Sequence, residues 1–160
     1  MAVEYRLYSA ADLSGDALAS FMADALGGTV IDDSPDHGGL RRVVRDGLDV
    51  TAYRVIPGDE AYAAGVFNFP HRITAAFRFS NRASEQVRAV NVVLMVRAVL
   101  SLFDTYPGDG VLLFNGEEVV LQKLSGQVSL NSDWEEWADI PELRPLGEGR
   151  DIRPLPQPLL

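Results

Sequence analysis

The stretch Pro107-Gly108-Asp109-Gly110-Val111-Leu112-Leu113-Phe114-Asn115-Gly116-Glu117-Glu118-Val119-Val120-Leu121-Gln122-Lys123-Leu124-Ser125-Gly126-Gln127-Val128-Ser129-Leu130-Asn131 decides the fold. Asn115-Gly116 and Ser125-Gly126 separate three apolar runs, and both dipeptides suit the positive φ of tight hairpin turns. A three-stranded antiparallel meander is predicted. Two-residue loops would pair Leu112 with Val119 and Leu121 with Leu130. That register puts Leu112, Phe114, Val119, Leu121, Val128 and Leu130 on one apolar face, and Glu118, Gln122, Gln127 and Ser129 on a wetter one.

Immediately upstream, residues 83–105 contain no Gly or Pro and carry apolar side chains almost all round the helical wheel. A long helix covered on more than one side follows. Arg88, Asn91 and Arg97 interrupt its apolar run, which barely reaches membrane-spanning length, so it reads as a core helix. Pro107-Gly108-Asp109-Gly110 stops it.

Further outward, Val3, Tyr5 and Leu7 alternate with Glu4, Arg6 and Tyr8, predicting a strand over 3–9. Ser14 is placed to cap a helix bearing Leu18, Phe21, Met22 and Ala25, which Gly27-Gly28 ends. Leu40–Arg45 and Leu48–Ile56 flank Asp46-Gly47, a type I′ signal that sets Val43 opposite Val50. Residues 57–70 read as a loop with a helical turn at Glu60–Ala64, and the alternation of Ile73, Ala75, Phe77 and Phe79 predicts another strand. The order is β-α-β-β-β-α-β-β-β, an α+β fold with a largely antiparallel sheet packed on a long buried helix. At 160 residues one domain is expected. Residues 1–131 would form it, and 132–160 would be an acidic, proline-rich C-terminal segment, partly anchored by Trp134 and Trp137.

Apolar residues make up 47% of the chain and charged residues 23%, the balance of a globular protein. The absence of cysteine removes disulfides, thiolate nucleophiles and Cys-ligated metals. The net charge of −9 is concentrated after residue 100 and repels phosphates, so neither nucleic acid nor a membrane is expected as partner. The N-terminus lacks the basic and apolar regions of a secretion signal, so a cytoplasmic location is expected.

No catalytic constellation emerges. His37 and His71 are the two histidines, and neither sits beside a recognisable nucleophile. The loop around His37 lacks the ligand spacing of a calcium site, and Gly147-Glu148-Gly149-Arg150 lacks the third glycine, the preceding strand and the following helix of a dinucleotide fingerprint. Glu117 and Glu118, adjacent after a turn, would point to opposite faces. Arg41, Arg42 and Arg45 form a small basic patch suited to cross-strand pairing with Asp49 or to solvation. No catalytic residue, cofactor or metal is expected. A pocket between the long helix and the sheet using Asn91 or Arg97 is the alternative, but about 240° of helical turn separates the two.

The segment Trp134-Glu135-Glu136-Trp137-Ala138-Asp139 combines two large amphipathic anchors with three acids. Trp134, Glu135, Glu136, Trp137 and Asp139 are therefore candidate partner-binding residues for a basic protein. The competing expectation is that both indoles fold back over the sheet edge.

Glu4-Tyr5-Arg6-Leu7 followed by Ala11-Asp12-Leu13 and an amphipathic helix resembles the opening of the Sit-type immunity proteins of bacterial polymorphic toxin systems. The stretch Pro107–Glu117, with Leu121 and Val128-Ser129-Leu130-Asn131, is similar to that family's ending, where a long helix runs into a Leu-Phe-Asn-Gly hairpin. The resemblance covers residues 3–131. It implies a non-catalytic cytoplasmic protein that binds and neutralises a cognate toxin domain.

Overall fold

The computed structural model describes residues 3–31, 39–158 and 160. Its elements run β1 (Val3–Ser9), α1 (Gly15–Leu26), β2 (Thr29–Ile31), β3 (Arg41–Arg45), β4 (Leu48–Arg54), α2 (Tyr62–Val66), β5 (Ile73–Phe79) and α3 (Glu85–Thr105). They continue with β6 (Gly110–Phe114), β7 (Glu118–Leu124), β8 (Gln127–Asn131), α4 (Glu135–Asp139), a 3-10 helix (Pro141–Gly147) and β9 (Asp151–Arg153). The described strands form one sheet in the order β2-β3-β4-β5-β1-β6-β7-β8-β9, parallel only between β8 and β9. The fold is α+β, as the sequence predicts. The short strands β2 and β9, too brief for a periodic signal, extend the expected sheet at its two edges.

Both long helices lie on one face of the sheet. Ser14 Oγ accepts from Ala17 N–H at 3.0 Å, and Ser84 Oγ accepts from Val87 N–H at 3.1 Å, so each helix begins at a serine cap. At the end of α1, the Arg45 guanidinium donates to Leu26 O at 2.9 Å, placing positive charge at the negative end of the helix. Lys123, the single lysine, does the same for α3, donating to Phe103 O at 2.8 Å and Tyr106 O at 3.0 Å. Helix α3 is long and apolar enough to cross a membrane by length and composition. Here its Val92, Met95, Val96, Val99 and Leu102 are buried against the sheet with Leu7, Phe77 and Leu112, each worth about 1.5–3 kcal/mol of apolar burial.

A smaller core on the opposite face joins Val111, Leu113 and Val119 to Ala63 and Ala64 of α2, Phe69 and Leu155. Elsewhere on that face, Arg6 and Arg78 pair with Glu4, and Arg42 pairs with Asp49 at 2.6 Å. Residues after 131 add α4, the 3-10 helix and β9, and Gln157 Oε1 accepts from Val119 N–H at 2.7 Å.

Two local expectations need correction. Leu112 faces Leu121, not Val119: Phe114 pairs with Glu118, one residue beyond the two-residue-loop register, and a bulge between Leu112 and Leu113 shifts the β6–β7 ladder by one more. This register sends Val119, opposite Leu113, to the smaller core, and the bulge leaves Val120 and Leu121 together on the helix side, while Glu118 lies opposite Phe114. Gln122 and Ser129 do share the other face, but they are buried. The Asp46-Gly47 turn has positive φ at Gly47 alone, so it is not type I′. Asn91 Nδ2 donates to Asp46 O at 2.8 Å and holds that carbonyl toward α3. Asn115 and Gly116, at φ 49° and 77°, do adopt the expected positive-φ pair.

Candidate functional site

The acidic segment after β8 is assembled around Trp134. Its indole is 3% exposed and packs edge-on against Tyr5, with ring centroids 5.9 Å apart. Burial pushes the Tyr5 phenol well above its ordinary range, with the negative charge of Glu136 adding to the effect. Trp137 is half-buried, and a Cβ on Gly147 would lie 2.6 Å from its ring. Glycine at 147 is therefore a condition of how the 3-10 helix packs on α4. Both indoles serve the fold; neither stands free as an anchor.

The acids divide differently. Glu136 forms an ion pair with Arg88 of α3, and this bond raises the Arg88 pKa. Glu135 and Asp139 are exposed. Across the sheet edge, burial raises the Glu118 carboxyl, with Glu135 and Asp133 adding repulsion. Glu118, Asp133 and Glu135 thus form a like-charged group at one end of the molecule. Of the five candidates, Glu135 and Asp139 are exposed, and Trp134, Trp137 and Glu136 are engaged in contacts within the fold.

Beside this segment lies an open groove of about 510 Å³, lined by Gln86, Ala89, Val90, Val93, Leu94 and Glu142. Val90 is 50% exposed. The five α3 residues recur at i, i+3, i+4, i+7 and i+8, forming the stripe of the helix turned away from the sheet. Helix α1 and the 3-10 helix both pack on α3. The apolar residues all round residues 83–105 were the signal for this groove. They predicted cover on more than one side, and the stripe around Val90 is the part left open.

The remaining candidates are internal ties. His71 Nδ1 accepts from Ala61 N–H at 2.9 Å, and its other nitrogen donates to Thr74 Oγ1 at 2.6 Å. Burial lowers its pKa. Arg41 pairs with Asp16 of α1 at 2.7 Å. Asn91 is buried toward the Asp46 turn, Arg97 is exposed, and His71 lies among residues of the opposite sheet face, so the three do not converge. His37 lies outside the described residues. Among the described residues no group of three or more His, Asp or Glu is placed to hold a metal ion.

These features define an α+β protein with an acidic end and an adjoining apolar groove. Residues 3–141 match the SitI3-like family, and the chain belongs to that family, in keeping with the Sit-type immunity resemblance. No curated protein and no solved structure matches it.

Proposed function

We propose that this chain is a non-enzymatic immunity protein of the cytoplasm that binds a cognate toxin domain and neutralises it by occlusion. The family match over residues 3–141 carries the reading. The net charge of −9 and the exposed Glu135 and Asp139 favour a basic toxin, and the same charge disfavours nucleic acid or an anionic membrane.

Co-expression tests this. Cells producing the toxin encoded beside this chain should survive when the chain is present; equal killing with and without it rejects the proposal. Glu135→Lys with Asp139→Lys should slow association with the toxin at 0.01 M salt, where the Debye length is about 30 Å, and much less at 0.15 M, where it is about 8 Å. An association rate equal to wild type at low salt removes these acids from the interface.

A further inference from the structure

We propose that the groove between α3 and the 3-10 helix is where the toxin docks, and that it receives a cationic amphipathic segment of that partner. This rests on the immunity reading above. The floor is apolar, and an exposed valine at its centre gains by being covered. Residues 133–142 carry five acids and no base, and the 3-10 helix adds a single exposed base, Arg144, in its last turn. Arg88 neutralises Glu136, while Glu135, Asp139 and Glu142 are exposed along the α4 and 3-10 side.

Apolar floor and acidic wall together select the occupant. A helix or extended segment bearing one large apolar side chain flanked by Lys or Arg would seat the apolar group over Ala89 and Val93. Its cationic stems would lie across Val90 with their heads at Glu142, the acid that lines the groove. A second copy of this chain is a poor fit, because it brings the same acids and a net charge of −9 to the same place.

The test uses the toxin domain encoded beside this chain, inactivated for handling, and titrates it calorimetrically into the full chain. Val90→Glu and, separately, Glu142→Lys should each weaken binding by about tenfold or more, the effect of losing a central contact. Val90→Ile should bind as wild type. Both variants change exposed side chains, and an unchanged urea midpoint verifies folding. Should Val90→Glu fail to fold, Glu142→Lys decides alone.

Wild-type affinity in the folded variants, with toxin binding and protection intact in the parent, overturns the groove and leaves the immunity reading standing. A parent that neither binds nor protects overturns both. Sedimentation of the free protein addresses the other occupant: a dimer that Val90→Glu dissociates would assign the groove to self-association and overturn the proposal.

Discussion

Arg88 and Glu136, 48 residues apart, meet in an ion pair that ties α4 to α3. The two side chains are 37% and 14% exposed, and the second Glu136 oxygen is buried without a hydrogen-bond partner. The acid is therefore costly to leave alone. Arg88→Met should destabilise the protein by about 1–3 kcal/mol, more than an exposed pair and less than a fully buried one. Adding Glu136→Gln should restore part of the loss in urea unfolding. Two single variants whose costs simply add would show that the pair is not coupled.

Gly116 and Gly147 should respond to substitution for different reasons. Gly116 sits at φ 77° with nothing within 4 Å of an added Cβ, so Gly116→Val meets backbone strain alone. A loss of about 1–3 kcal/mol is expected, with Gly116→Asn milder because asparagine tolerates this region. Gly147→Ala instead drives a methyl to within 2.6 Å of Trp137 and 2.7 Å of Ile152. It should lower the melting temperature and change the fluorescence of Trp137, a spectral change that Gly116→Val should not produce.

His71 makes stability depend on pH near neutrality. Burial lowers its pKa in the folded chain, so the unfolded chain takes up the proton first as pH falls through about 6.5. Stability should decline below that point and level off once the native imidazole is protonated. Protonation at Nδ1 would also abolish the bond accepted from Ala61 N–H. Melting temperatures between pH 7.5 and 5 should show the decline in wild type and a flatter profile in His71→Gln. Identical profiles would dismiss His71 as the source.

Trp134 and its acidic neighbours should separate cleanly. Trp134→Ala empties a buried site against Tyr5 and should cost about 3–5 kcal/mol. Glu135→Lys with Asp139→Lys, at exposed positions, should leave the urea midpoint within about 0.5 kcal/mol of wild type. A large loss from the double charge reversal would mean that these carboxylates hold the fold.

The features legible in the sequence are those set by neighbouring residues. Ser14 caps its helix because a short hydroxyl reaches the amide three residues on. Asn115-Gly116 turns the chain because both accept positive φ. The length of α3 follows from an uninterrupted apolar run without Gly or Pro. Distant partners decided the rest. The register that sends Val119 to the smaller core, and the bulge that leaves Val120 and Leu121 together on the helix side, belong to the β6–β7 ladder. The Asp46 carbonyl is held by Asn91, 45 residues away. Trp134 faces inward because Tyr5, at the other end of the chain, forms its wall. The Val90 groove opens where the 3-10 helix, through Glu142, borders the α3 stripe without covering it. Backbone preference is a property of a few adjacent residues, whereas register, side-chain direction and exposure depend on which remote surface arrives to exclude water.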